Sequence, residues 1–301
     1  MGSKIAVIGV GTQGSMIAFR NAVYRKEVTA FSRNEASREK CRARVRRFLE
    51  FYVAEGRLTQ EEADAAWARI SYASSLEEAC QDAYTVFENV PEILDKKQEL
   101  FRQLHEICQA DVLFSSNTSS LLMSEICRDL PLERRRLTFQ VDHDDPVRNS
   151  HVEMMWNRDT AEEAKRAAVA HYNDLGFQPV ITEQAIKGYS INRVWRAVKK
   201  GCLKLWAAGY ISPSEFDRGW MTEWHTDIGP FKLMDLIGLD TVLNIEYSYF
   251  NASGDESDRP PEKLEEFVRA GRLGMKSGSG FYDGYDREGG NLTVGKMKKE
   301  V

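Results

Sequence analysis

The sequence contains no run approaching the roughly 20 apolar residues that a membrane-crossing helix needs, so no membrane association is expected. Cysteine is scarce: five residues, at 41, 80, 108, 127 and 202. The odd number and the absence of metal-like spacing argue against a disulfide framework and against a zinc site. No metal is expected, and a reducing cytoplasm suits the chain. Net positive charge is also missing, since 41 Lys and Arg face 46 Asp and Glu for a net charge of -5. Phosphate-backbone binding requires a basic surface, so nucleic acid is not an expected partner. The one basic run, Arg42 to Arg47, is interleaved with Val45, Phe48 and Leu49 and reads as a solvated helix face. The early apolar run, Ile5 to Val10, is too short for a secretory signal and meets a glycine-rich turn at once.

What is present is enough for two domains: 301 residues, 42% of them hydrophobic. Lys4 to Gly9 reads as a buried parallel strand, a short apolar run closed by glycine. Gly9-Val10-Gly11-Thr12-Gln13-Gly14 follows and opens a helix from Ser15. Each glycine has a task in binding a dinucleotide. Gly9 permits the tight turn, Gly11 lets a pyrophosphate approach the backbone, and Gly14 lets the helix pack on the strand. The amides at Thr12 and Gln13 begin the helix, whose N-terminus favours an anion. The second strand, Glu27 to Phe31, ends in Ser32-Arg33-Asn34, where an NAD enzyme carries Asp or Glu for the ribose hydroxyls. A hydroxyl and a guanidinium suit a 2′-phosphate, so NADP is the expected cofactor, with NAD as the alternative.

Residues 35–70 read as two charged amphipathic helices, the second capped by Thr59. Strands are expected from Ile70, over Asp82 to Glu88, and over Asp111 to Asn117, with a helix through Lys97 and Leu100. This alternation predicts a parallel α/β sheet, with ligands at the strand ends, where Glu88, Glu92, Asn117 and Ser119 fall.

Five further segments carry a specific resemblance. Glu88-Asn-Val-Pro-Glu-Ile-Leu-Asp-Lys-Lys-Gln-Glu-Leu-Phe101, Ser116-Asn-Thr-Ser-Ser-Leu121 and Lys187-Gly-Tyr-Ser-Ile-Asn-Arg193 are the first three. Asp227 to Thr241, containing Gly-Pro-Phe and Gly-Leu-Asp-Thr, and Gly274 to Asp283 complete the set. In this order the segments resemble the 3-hydroxyacyl-CoA dehydrogenase family. The resemblance implies a Rossmann-type parallel-sheet domain over residues 1–186, followed by an all-α domain over 187–301 for substrate binding and dimerisation. It implies that Ser119 and Asn192 contact substrate, that Glu92, Lys97 and Asn117 help hold the cofactor, and that Lys276 reaches the cofactor from the second domain.

The departure lies at the catalytic segment. The family's histidine stands in H-F-F-N-P-V, and here the corresponding stretch is Gln140-Val-Asp-His-Asp-Asp-Pro-Val147, followed by His151-Val-Glu153. Counting back from Pro146 puts Asp142 in the histidine's place, with His143 one residue later. Strand alternation groups Leu137, Phe139, Val141 and His143 on one face and Asp142 with Thr138 and Gln140 on the other. A bulge or small insertion would deliver His143 to the slot. Hydroxyl oxidation needs a group that takes and returns a proton, and a histidine oriented by a carboxylate does both. His143 with Glu153 is the preferred pair, with Asp144 and Asp145 expected to raise the imidazole pKa. His151 and Asp142 are the rivals. The segment is also more polar than the family's, which disfavours a greasy acyl chain. A polar hydroxy or keto acyl compound, free or as a thioester, is the expected substrate.

Two other readings stay open: an ordinary NAD-dependent 3-hydroxyacyl-CoA dehydrogenase, and a dinucleotide-binding protein without turnover. The helical half, rich in Trp195, Trp206, Trp220 and Trp224, is expected to form a homodimer.

Overall fold

Strand β1 (Lys4–Ile8) is buried along its length except at its first residue, as a continuous apolar run requires inside a sheet covered on both faces. The computed structural model describes residues 4–143 and 145–285. Asp144 and residues 286–301, most of the Gly- and Lys-rich tail expected to be mobile, lie outside the described residues. The chain divides into two units, Met1–Ile191 and Asn192–Val301.

From β1 the first unit continues through α1 (Thr12–Val23), β2 (Glu27–Phe31), α2 (Glu35–Ala54) and α3 (Gln60–Ala68). Thr59 and Glu62 start α3 with a reciprocal capping box. Next come β3 (Ile70–Ala73), α4 (Leu76–Cys80), β4 (Thr85–Glu88), α5 (Leu94–Ile107) and β5 (Leu113–Ser116). Two one-turn helices, α6 (Met123–Ile126) and α7 (Leu132–Arg135), lead to β6 (Thr138–His143) and β7 (His151–Trp156). Helix α8 (Glu162–Asp174) and β8 (Gln178–Thr182) complete the sheet. Its order is β3-β2-β1-β4-β5-β6-β7-β8. Strands β1 to β6 pair in parallel, β7 runs antiparallel to β6, and β8 is parallel to β7. The order reverses between β1 and β4, the crevice where doubly wound sheets take dinucleotides. One core packs Phe19, Val45, Tyr52, Phe139 and Tyr172 on one face, and Phe101, Leu104, Phe114 and Ile126 form the other. The Rossmann-type sheet expected from the sequence is therefore present.

The second unit is helical, as expected: α9 (Ser190–Ala207, which begins just before the boundary), α10 (Pro213–Trp224), α11 (Pro230–Ile237), α12 (Leu239–Ser253) and α13 (Glu262–Arg269). Trp206, Phe231, Met234, Leu239 and Leu264 make its core. Two buried aspartates tie it together. Asp217 accepts from the amides of Phe231 (2.9 Å) and Lys232 (2.8 Å) at the start of α11 and from the Tyr282 hydroxyl (2.8 Å). Asp235 accepts from the amides of Phe281 (2.8 Å) and Tyr282 (2.9 Å) and from the Tyr285 hydroxyl (2.7 Å). The segments around 227–241 and 274–283 are thus one hydrogen-bonded assembly. Among the described residues no helix is long and apolar enough to cross a membrane, and no cluster of metal-ligating side chains occurs.

Candidate active site

The glycine turn between β1 and α1 is built for close approach. Gly9 has φ of +89°, and a Cβ there would lie 2.6 Å from the Asn89 carbonyl. A Cβ on Gly14 would lie 2.0 Å from the Gly9 oxygen. Gly11 is different, since a Cβ there would meet nothing within 4 Å. The open side of Gly11 adjoins the first turn of α1, which has no side-chain cap and no acidic residue. Space for a bulky group beside an uncapped helix N-terminus fits a pyrophosphate. At the end of β2, Ser32 is half-buried and Arg33 is exposed. Glu35, the nearest carboxylate in sequence, is paired with Arg38 and Arg42.

At the ends of β4 and β5 the structure holds a buried charge network. Lys97 Nζ lies 2.7 and 2.9 Å from the Glu88 carboxylate oxygens and 3.4 Å from Glu92. Glu88 and Lys97 are both fully buried. Burial raises the Glu88 carboxyl above its usual range, against the opposing pull of Lys97 and Ser116. Glu92 accepts from the Thr118 hydroxyl and from the Ser120 amide (3.0 Å) and hydroxyl (2.8 Å). Burial works against its charge, but these donors and Lys97 keep its carboxyl below the usual range. Lys97 is therefore enclosed in this network, and with Glu92 it shapes the loop that carries Asn117 and Ser119. The Asn117 amide donates to the Glu88 carbonyl (2.9 Å), and the exposed Ser119 offers its carbonyl to the Gly188 amide (3.0 Å).

Strands β6 and β7 pair without a bulge: Gln140 faces Met155, Val141 faces Met154, Asp142 faces Glu153 and His143 faces Val152. No bulge in this ladder brings His143 to the slot, and His143 and Glu153 lie on opposite faces. His143 belongs to the core side, 5.4 Å from the Tyr172 ring and 5.8 Å from Phe177, with Nδ1 3.1 Å from Asn117 Oδ1. Its pKa is also not raised. Burial first, then His171 and Arg20, push it down to about 3. The Asp145 carboxylate is engaged by the amides of Val147 (3.0 Å) and Arg148 (3.1 Å) and by the Arg148 guanidinium (2.9 Å).

On the other face Glu153, 2% exposed, accepts from the hydroxyls of Thr182 and Ser190 and the amides of Ser190 (2.7 Å) and Ile191 (3.2 Å). Burial raises its pKa and these donors more than reverse that, so the carboxylate is held ionised below its usual range. His151 is two residues earlier on β7 and shares this face.

Two residues not singled out from the sequence complete this face. Gln140 accepts from the Met123 amide (3.0 Å) and donates to the carbonyls of Thr118 (3.2 Å) and Leu121 (2.8 Å), fixing the Ser119 loop against β6. Tyr189 is fully buried at φ of +53°, and burial, then the Asp142 charge, push its phenol well above the usual range. The one signal in the sequence was Gln140's alternation with Asp142 along β6. In the second unit, Asn192 is the third residue of α9, and Lys276 forms an ion pair with Asp240.

The doubly wound sheet, its glycine turn and the polar strand ends define a dinucleotide-binding oxidoreductase domain. The NAD-binding domain of 3-hydroxyacyl-CoA dehydrogenases matches residues 4–185, and the C-terminal domain of the same enzymes matches residues 188–284. A probable 3-hydroxybutyryl-CoA dehydrogenase of Bacillus subtilis is 31% identical over 93% of this chain and 96% of its own length. The structure of FadB2 of Mycobacterium tuberculosis superposes with a TM-score of 0.84 at 29% identity, covering 93% of this chain and 98% of that one. A diketoreductase studied for its catalysis on dicarbonyl compounds gives 0.86 at 27% identity, covering 94% and 99%. The chain belongs to the 3-hydroxyacyl-CoA dehydrogenase family, and its class of activity is nicotinamide-dependent hydride transfer.

Proposed function

We propose that this protein interconverts hydroxyl and keto groups on a small polar acyl compound, free or as a thioester, with NADP(H) preferred over NAD(H). The observation that carries the substrate reading is the β6–β7 face, where the half-exposed Asp142 lies two residues beyond Gln140, which holds the Ser119 loop. An apolar acyl chain against a carboxyl side chain there is disfavoured, whereas hydroxyl or carboxamide groups of a substrate are compatible with it. The similarity to a diketoreductase that acts on dicarbonyl compounds is in keeping with hydroxyl–keto interconversion. The dinucleotide, when bound, supplies the hydride acceptor or donor. Gly9, Gly11, Thr12, Gln13 and Gly14 would hold its pyrophosphate, Ser119 and Asn192 would contact substrate, and Lys276 would approach the cofactor.

NADP is favoured because Ser32 and Arg33 stand where a ribose-binding carboxylate is missing, and because Glu35 is committed to Arg38 and Arg42. We further propose a homodimer formed through the second unit, residing in a reducing cytoplasm in which the five unpaired cysteines persist as thiols. The test is fluorescence titration with NADPH and NADH, followed by turnover on 3-hydroxyacyl thioesters and free 3-hydroxy acids of graded polarity. Arg33→Ala should weaken NADPH binding about tenfold or more, the size of one lost charge-assisted contact, and leave NADH binding unchanged. A wild-type preference for NADH would refute the cofactor reading, and a preference for long apolar acyl chains would refute the substrate reading.

A further inference from the structure

We propose that Cys80 and Cys108 form a peroxide-responsive thiol pair, in which Cys108 reacts first and Cys80 closes a reversible disulfide onto it. The proposal is independent of the hydride-transfer reading above and assigns a modification site at the end of the sheet away from the glycine turn.

Placement brings the two sulfurs together. Cys80 is the last residue of α4, and Cys108 caps the end of α5. These helices pack against each other, and both cysteines join the core built on Phe101 and Leu104. Their thiols are in side-chain contact. Of the other three, Cys127 lies against the Met123 carbonyl (2.8 Å), Cys41 beside Ser15 and Tyr72, and Cys202 in the second unit. Strands β4 and β5 begin shortly after the pair, at Thr85 and Leu113. The pair therefore lies at the amino end of the sheet, whereas the glycine turn and the Ser119 loop follow the carboxyl ends of β1 and β5.

Access and charge then separate the two roles. Cys80 is 5% exposed and Cys108 is half-buried, so an oxidant in water reaches Cys108 first. Beside Cys108 stands the buried Arg134. Its guanidinium donates to the carbonyls of Val112 (2.9 Å), Gln109 (2.9 Å) and Cys108 (3.4 Å) and to His105 Nδ1 (3.4 Å), with no carboxylate among these partners. Its charge is left to act on the Cys108 thiol and on the exposed Asp111. A thiol next to a guanidinium is more readily ionised, and the thiolate is the form that attacks peroxide. The contact with Cys80 and the Arg134 charge, against burial, hold the Cys108 thiol below its ordinary range. The contact with Cys108 and burial hold Cys80 well above it, so Cys80 keeps its proton until it reacts.

With hydrogen peroxide as the oxidant, the Cys108 sulfur attacks one oxygen and the O–O bond breaks. An S–O bond forms, leaving Cys108 as a sulfenic acid, and the departing hydroxide takes up a proton as water. The Cys80 sulfur then attacks the Cys108 sulfur, the S–S bond forms and the S–O bond breaks. The second hydroxide leaves as water with the Cys80 proton. Two thiols have lost two electrons and the peroxide has gained them. A small-molecule thiol in excess reverses the bond by exchange. Closing the disulfide also spares Cys108 the irreversible steps to sulfinic and sulfonic acid.

The test is mass spectrometry of the reduced full chain after a modest excess of hydrogen peroxide. The intact mass should fall by about 2 Da, the loss of two hydrogens. Alkylation under denaturing conditions should count three free thiols where the reduced protein has five, and a peptide map should join Cys80 to Cys108. Dithiothreitol should restore all five. Cys80→Ser should stop at a Cys108 sulfenic acid, captured by a dimedone-type probe, and Cys108→Ser should keep its remaining thiols at the same dose. Cofactor titration of the oxidised protein should superpose on that of the reduced one. A wild type that keeps five free thiols overturns the proposal, as does a disulfide mapped to another pair or between chains. An unmodified Cys108 in Cys80→Ser overturns its assignment as the first sulfur to react. Loss of cofactor binding on oxidation overturns the separation of the pair from the cofactor end of the sheet.

Discussion

His143 and His171 occupy neighbouring places in one aromatic core, and both are nearly excluded from water. His171 Nδ1 lies 2.5 Å from the Tyr84 hydroxyl, and its ring sits 5.2 Å from Phe87. Burial, then Lys26, pushes its pKa down to about 3, as burial, His171 and Arg20 do for His143. In the unfolded chain both imidazoles protonate near the ordinary value of about 6.5. Above that pH neither state carries the protons and stability is at its full value. As pH falls from about 6.5 toward 3, the unfolded state binds protons that the folded state refuses. Stability should then drop by up to about 1.4 kcal/mol per pH unit for each histidine. Urea midpoints measured from about pH 7 down to pH 4 should fall accordingly, and His171→Phe should flatten the slope. The His143 and His171 imidazole NMR signals of the folded protein should not titrate in this range. A His143 signal that titrates near the ordinary value would show that water reaches the ring and would reopen its candidacy as proton carrier.

At the scale of elements, the strand–turn–helix over residues 4–23 was legible in the sequence because its chemistry is complete within one local run. The alternation along β6 was legible too: Phe139, Val141 and His143 do share the core face with Tyr172 and Phe177. What local pattern could not carry was the register against β7. An unbroken ladder keeps Asp142 opposite Glu153, and only the partner strand can reveal that no bulge interrupts it. The contacts of Glu92 and Lys97 were not legible for a similar reason. Helix α5 starts at Leu94, so Glu92 precedes it, and Lys97 turns inward to meet Glu88 at the end of β4. No periodicity announces a strand-end carboxylate that recruits a helix lysine.

The glycine turn also yields a contrast between two substitutions that look alike in sequence. Gly14→Ala drives a Cβ into the Gly9 carbonyl and should destabilise the protein by about 1–3 kcal/mol. Gly11→Ala has open space and φ of -64°, so the melting temperature should hardly move. The added methyl would instead occupy the approach of a pyrophosphate, and NADPH binding should weaken about tenfold or more. Unchanged binding in a stably folded Gly11→Ala protein would mean that the cofactor does not pass this glycine.

The largest scale concerns what the second unit leaves uncovered. Trp206 is enclosed against Phe267 and Phe281, but Val194, Leu205, Tyr210 and Trp224 remain exposed, at 66%, 42%, 80% and 63%. On α10 the rings of Phe216, Trp220 and Trp224 follow one another at 6.2 and 6.0 Å, so the row runs from the core outward to an exposed indole. Large apolar side chains clustered on one helical unit mark a surface that a second chain covers more often than water does. Identical chains usually satisfy such a surface by a two-fold axis, in which the same patch meets itself. Because the contact is self-complementary, a single charge introduced at its centre is repeated across the axis and meets its own copy. Light scattering at micromolar concentration should therefore return twice the chain mass for the wild type. Val194→Glu or Leu205→Glu should shift the protein toward the chain mass, with NADPH binding by the first unit retained. A wild type that scatters as a single chain across that range would remove the dimer and leave these four side chains as isolated exposed residues.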